Sequence, residues 1–196
     1  MRCTNSDLYV PSGAWSVKVV VLGPFAVGKT TLVGAVSEIE PLRTEELMTR
    51  AGELIDDLGQ VRDKDTTTVA MDFGRLTLSD DIVLYLFGAP GQPRFADTVR
   101  DHLAGALGGL VMVNTRDVSL SFDSLTLVEQ AGVPYVVVIN EFPDSPAYED
   151  GEIRESLDLA ERTPLVRVDA RYRESAKNGL IALATDILNR RTESPR

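Results

Sequence analysis

The segment Gly23-Pro-Phe-Ala-Val-Gly28-Lys29-Thr30 constrains this chain more than any other part of it. Two glycines with four residues between them, followed directly by Lys and Thr, stand between a Val-rich run and the start of an amphipathic stretch. That context of strand, loop and helix is what a phosphate-binding Walker A loop requires. Backbone N–H groups of the loop and helix start, from Gly23 through Phe25, Ala26, Val27, Gly28, Lys29, Thr30 and Thr31, would cradle a nucleotide phosphate. The Lys29 ammonium reaches toward the β- and γ-phosphates, and the Thr30 hydroxyl is placed to coordinate Mg²⁺. An accidental glycine turn has no need of Lys-Thr at the head of a helix.

Around this loop, short runs rich in Val and Leu alternate with helical stretches. The runs Val17–Leu22, Ile82–Phe87, Leu110–Asn114, Tyr135–Asn140 and Leu165–Val168 are expected as buried parallel strands. Apolar spacings of three and four predict helices over Lys29–Ile39, Ala96–Ala106, Ser119–Ala131, Glu149–Leu159 and Ser175–Leu188. A further strand, about Val69–Leu78, is joined to Ile82 only by Ser79-Asp80-Asp81, a connection so short that it forces a hairpin and an antiparallel strand. The expected fold is α/β, with a six-stranded, mostly parallel sheet holding one antiparallel strand and helices on both faces. Ligands of such sheets bind at the carboxyl ends of the parallel strands, where the Walker A loop falls. Residues 1–15 read as a flexible leader, 16–190 as one nucleotide-binding domain and 191–196 as a tail. Trp15 is read as a packing anchor at the strand edge. The span Glu40–Thr68 is too long for an ordinary crossover, with Thr44–Gly52 able to form a short helix inside it.

Composition excludes several classes. The 196 residues are 43% hydrophobic and 26% charged, ordinary values for a folded domain. A formal charge of −10 argues against nonspecific binding to nucleic acid or anionic lipid, both of which need clustered Lys and Arg. Cys3 is the only cysteine, so neither an internal disulfide nor a cysteine-built metal site can form. No apolar run approaches the roughly 18–20 residues that cross a bilayer, and no lipidation motif is present, so a cytoplasmic protein is expected, with any membrane contact made through a partner. His102, the only histidine, has no Cys or second His to form a metal site or a triad with, and is expected to be a surface or packing residue.

Beyond the Walker A loop, the segments Gly28-Lys-Thr-Thr-Leu-Val-Gly-Ala-Val-Ser-Glu-Ile, Pro41-Leu-Arg-Thr, Thr66-Thr-Thr-Val-Ala-Met-Asp-Phe-Gly74 and Phe87-Gly-Ala-Pro-Gly-Gln92 resemble a known family. They are similar to the small Ras-like GTPases of bacterial conservon operons, relatives of the gliding-motility GTPase MglA. The resemblance runs from about Val17 to Leu188. It implies a Ras-like three-layer P-loop fold and a molecular switch that binds Mg²⁺ with GTP or GDP and hydrolyses GTP slowly. Thr68 matches the threonine that closes on Mg²⁺ and senses the γ-phosphate, with Thr66 and Thr67 as alternatives. The Gly91 N–H would meet the γ-phosphate, and Gln92 would orient the attacking water, making Gln92 and Lys29 the catalytic candidates.

The same comparison shows departures. Gly88 stands where most Ras-like proteins keep a metal-shell Asp, and Asp80 and Asp81 cannot replace it because a strand of about six residues holds them roughly 20 Å from the phosphate edge. Weakened Mg²⁺ retention is expected. Phe25 is bulky where relatives often have Gly, obstructing an arginine finger in trans. Asn140 matches the base-reading Asn of Asn-Lys-x-Asp, but the following Asp falls one residue late, at Asp144, and the Ala170 N–H is the candidate base contact from the loop after the last strand. Arg94 lies within reach of the switch and is read as a solvated loop residue. By resemblance, partners include a small roadblock-type protein and a sensor-kinase-like protein. Two other readings stay open: an interaction module that holds nucleotide without turnover, and a small ATP-dependent enzyme.

Overall fold

The computed structural model describes residues 13–43 and 71–193. Strand β1 (Trp15–Leu22) leads into helix α1 (Lys29–Val36), followed by a two-residue strand β2 (Leu42–Arg43) and the hairpin β3 (Asp72–Ser79) and β4 (Ile82–Gly88). Then come α2 (Ala96–Leu103), β5 (Gly108–Val113), α3 (Phe122–Gln130), β6 (Tyr135–Asn140), α4 (Asp150–Ser156), β7 (Leu165–Val168) and the long α5 (Arg173–Glu193). The strands form one sheet in the order β2-β3-β4-β1-β5-β6-β7. β1 pairs parallel with both β4 and β5, β6 pairs parallel with β5 and β7, and only β3 runs against the rest. This is the α/β P-loop fold expected from the pattern. The short β2, antiparallel to β3, adds a seventh strand that a two-residue segment could not announce by periodicity.

Side-chain alternation assigns the two faces of the sheet. Val19, Val21, Leu110, Met112, Val136 and Val138 are buried together with Leu32, Val33 and Val36 of α1 and Ala176, Leu183 and Ile187 of α5. Their neighbours Val20, Leu22, Val111, Val113, Val137 and Ile139 point the other way, against Val99 and Leu103 of α2, Leu125 and Val128 of α3 and Ile153 of α4. Strands β5 and β6 are buried along their whole length, so they read as continuous apolar runs. At the far end of α1, the Arg173 guanidinium of α5 donates to the carbonyl oxygens of Ala35 and Ser37, at 3.3 and 3.0 Å. Glu38 fastens the same end to β3 by accepting from the Arg75 and Thr77 side chains and from the Thr77 N–H.

The helices are shorter than their apolar spacings suggested, and the last is longer. α1 stops at Val36 because Ser37 adopts an extended backbone. The start expected for the third helix, at Ser119, lies in a 3₁₀ turn, Val118–Ser121, ahead of α3, whereas α2 begins at Ala96 as expected and is preceded by a further 3₁₀ turn, Pro93–Phe95. Trp15 is not an anchor: its side chain is 77% exposed, because β1 begins beside the β3–β4 turn, beyond the helices that cover the sheet. His102 stays with its helix, its Nδ1 2.7 Å from the Thr98 carbonyl oxygen and its ring edge-on to Phe87. Among the described residues, no helix is long and apolar enough to cross a membrane.

Candidate nucleotide-binding site

The loop between β1 and α1 turns through backbone conformations that only special residues adopt easily. Gly23 has φ 140°, Ala26 φ 61° and Gly28 φ 106°. Alternating hands of this kind turn successive N–H groups to one side, the geometry of an anion nest. Gly28 is the N-cap of α1 and supplies no side-chain cap, so the helix's first N–H groups are not taken by a cap of their own. A side chain on Gly28 would also strike the Asn140 amide nitrogen. Val27 is buried while Phe25 and Ala26 are exposed, and Phe25 rims the cleft with its ring largely in solvent. Thr31 faces solvent on the first turn of α1.

Lys29 folds back over this loop. Its Nζ donates to the carbonyl oxygens of Gly23 at 2.8 Å and Pro24 at 2.7 Å. Two of three N–H donors are therefore used to hold the ammonium above the nest, and one is left for a ligand. Burial lowers its pKa to about 8, with the negative charge of Asp72 opposing that shift. An anion bound here would restore what burial takes away.

The Thr30 hydroxyl donates to Asp72 Oδ2 at 2.6 Å. Asp72 is the first residue of β3 and lies opposite Gly88, the last residue of β4. Thr30, Asp72 and Gly88 line, with Lys29, Gly91 and Gln92, a cleft of about 320 Å³ at the carboxyl edge of the sheet. A hydroxyl and a carboxylate in one cleft are the hard oxygen donors that suit Mg²⁺, which takes few protein ligands and completes its shell with phosphate oxygens and water. The residues present therefore fit the ion: Thr30 would ligate it, and bound there it would neutralise phosphate charge. Thr68, Thr66 and Thr67 lie outside the described residues.

The segment after β4 lies directly on the phosphate loop. The Cα of Gly91 approaches so closely that a Cβ there would sit 2.6–2.7 Å from backbone atoms of Gly23, Pro24 and Phe25. Gln92 follows with an extended backbone and an exposed side chain at the rim of the cleft. Arg94 also lines the cleft, its guanidinium 4.8 Å from the centre of the Phe95 ring.

Asn140 ends β6 and is 4% exposed. Its Nδ2 donates to the Val27 carbonyl oxygen at 2.8 Å, and its Oδ1 accepts the Ala170 N–H at 3.0 Å. In this structure, the Ala170 N–H expected to meet a base is thus given to Asn140. The next N–H, of Arg171, is given to Asp169 Oδ1. Asp144 stands at the surface in an ion pair with Arg116, whose guanidinium also lies 5.0 Å from the centre of the Phe142 ring. Beyond Asn140 the chain makes a turn from Phe142 to Ser145, with Asp144 inside it, closed by the Ser145 N–H on the Phe142 carbonyl oxygen.

The sequence reading did not find Asp72 or Arg116. Asp72 had a signal: a hairpin closing at Ser79–Ile82 forces a residue near position 72 to face the end of β4. Arg116 had none, since its pairing with Asp144 joins two loops 28 residues apart.

A family model described as conserved hypothetical ATP binding protein matches residues 21–190. The uncharacterized protein MJ1339 of Methanocaldococcus jannaschii is 35% identical over 127 residues, 64% of this chain and 70% of that protein. Among solved structures, the cytosolic domain of the T. maritima FeoB iron transporter in GDP form II matches with a TM-score of 0.60 and 16% identity, covering 93% of this chain and 66% of that one. The apo form of the same domain matches with a TM-score of 0.62, again at 16% identity, over 88% of this chain and 64% of that one. The chain thus spans just under two thirds of these solved chains, and the likeness is one of fold.

Proposed function

Because the chain belongs to the family of conserved hypothetical ATP binding proteins, a nucleotide-binding P-loop protein is the premise, and we propose that it works as a regulatory switch of the Ras-like conservon type. In this reading it binds Mg²⁺ with GTP or GDP, hydrolyses GTP slowly, and offers a nucleotide-dependent surface to roadblock-type and sensor-kinase-like partners. The observation that carries the switch is the contact of Gly91 with the backbone of Gly23, Pro24 and Phe25. A segment packed this closely on the phosphate loop has to respond to what the loop holds, and a γ-phosphate is the group that would engage the Gly91 N–H.

Hydrolysis would draw on Lys29 for charge neutralisation and on Gln92 for holding a water in line with the γ-phosphate. Phe25 at the rim and the exposed Gln92 are consistent with a slow unassisted rate. Guanine is the favoured base because Asn140 ends β6 and Asp144 lies on the loop that follows it, and the similar FeoB domain is described in a GDP form. Adenine is the second reading, favoured by the family's description and by the pairing of Asp144 with Arg116.

The test is calorimetric titration of nucleotide-stripped protein with GDP, GTP, ADP and ATP in Mg²⁺, repeated with Lys29→Ala. Guanine-selective binding that needs Lys29 supports the switch, adenine-selective binding moves the assignment to ATP, and binding of neither overturns both. Multiple-turnover phosphate release then separates a hydrolase from a module that only holds nucleotide: Gln92→Leu should abolish the rate while keeping affinity.

A further inference from the structure

We infer that Asp72 supplies, from the antiparallel strand β3, the carboxylate of the Mg²⁺ shell, and that Gly88 is a glycine because Asp72 occupies the space its side chain would need. This rests on the nucleotide-binding reading above and gives a role to a residue of the Thr66–Gly74 segment that the sequence alone leaves without one.

Three observations converge. First, Thr30 Oγ1 donates its only proton to Asp72 Oδ2 at 2.6 Å. A hydroxyl that spends its proton on a carboxylate presents only lone pairs elsewhere, the state in which it can ligate a cation. Second, β3 runs opposite to its neighbours, so its first residue arrives at the edge where the parallel strands end, level with Gly88. Third, a Cβ on Gly88 would lie 3.0 Å from both Cβ and Oδ2 of Asp72. One carboxylate fits there, and the chain carries it on β3. Asp72 also lines the same cleft as Lys29, and its charge acts on that ammonium. A pairing made only to tie β3 to α1 would not require a carboxylate facing a phosphate-binding lysine.

Asp72 is in this account a positioning residue: it orients Thr30 and accepts hydrogen bonds from water on the ion. Removing such a partner typically costs 10–100-fold in metal affinity. The test measures the affinity of fluorescently labelled GDP and ADP for the full chain across a Mg²⁺ titration and in EDTA. In Asp72→Asn, the Mg²⁺ concentration giving half the effect should rise by about 10-fold or more, while the affinity in EDTA stays within about twofold. The double variant Asp72→Gly with Gly88→Asp moves the carboxylate across the strand pair and should recover most of the Mg²⁺ response. Circular dichroism of each variant checks folding, and the double variant keeps the test open if Asp72→Asn is unstable.

An Asp72→Asn protein with an unchanged Mg²⁺ midpoint overturns the inference and leaves the nucleotide reading standing. So does wild-type binding that ignores Mg²⁺. Wild-type protein that binds neither nucleotide overturns the functional reading itself.

Discussion

Asn140 Nδ2 donates to the carbonyl oxygen of Val27 at 2.8 Å, joining the end of β6 to the phosphate loop across 113 residues of chain. The same side chain accepts the Ala170 N–H, so one buried amide holds three loops in register at the nucleotide edge. Asn140→Ala leaves a buried carbonyl and a buried N–H without partners, and each unsatisfied group costs about 1–3 kcal/mol. Urea unfolding should show a loss of roughly 2–6 kcal/mol, and nucleotide affinity should fall with it. Loss of affinity at unchanged stability would mean that Asn140 reads the base without organising the loops.

The lowered pKa of Lys29, about 8 in place of 10.5, makes binding sensitive to pH. Burial penalises the charged amine, so the free protein loses this proton as pH rises through 8. A bound polyphosphate favours the ammonium and must bring the proton back. Nucleotide affinity should therefore fall above pH 8, with proton uptake visible when calorimetry is run in buffers of different ionisation enthalpy. The stability of the free protein should move the other way. Between pH 8 and 10.5, the unfolded chain holds a proton that the folded one has released, so this group's contribution to stability rises with pH.

Gly91→Ala places a methyl 2.6–2.7 Å from three backbone groups of the phosphate loop. Backbone cannot yield as a side-chain tip does, so the segment must lift away from the loop. Overpacking of this kind costs about 1–3 kcal/mol. Hydrogen exchange should show faster amide exchange over residues 89–95, with the sheet unaffected. Unchanged exchange there would show that the contact is loose in solution.

The ion pair between Asp144 and Arg116 is exposed, with side chains 74% and 43% accessible, so it holds Asp144 by no more than about 1 kcal/mol. Asp144 is free to swing toward a base at little cost. If it does, Asp144→Asn lowers affinity for guanine nucleotides and leaves adenine nucleotides unaffected, while Arg116→Ala alters guanine affinity by less than about fivefold. Equal effects of Asp144→Asn on both bases would remove it from base recognition.

What was legible in the sequence was local or periodic. The spacing from Gly23 to Thr30 marks the loop because the fold demands a strand before it and a helix after it. The alternation of Val19 and Val21 with Val20 and Leu22 follows from burial on both faces of a parallel strand. What was not legible depends on pairing across distance. Gly88 read alone suggests a missing carboxylate, and only the register of β3 with β4 brings Asp72 to the same place. Ala170 looked like a donor for a base because sequence position says nothing about which acceptor lies nearest, and Asn140 Oδ1 does. The 3₁₀ turn over Val118–Ser121 reads as the start of a helix because a 3₁₀ turn and an α-helical turn share nearly the same apolar spacing.

The hold of α5 on α1 bears on the order in which the protein is made. Among the described residues, α1, which opens at the phosphate loop, is made before the other helices, yet Ala176, Leu183 and Ile187 that bury it, and Arg173 that closes its far end 138 residues from Ala35, belong to α5, the last of the described helices. During synthesis the loop and its lysine exist long before the wall behind them. Nucleotide capture is then expected to wait for α5, and a ribosome stalled before it would display a phosphate loop whose following helix lacks its packing partner.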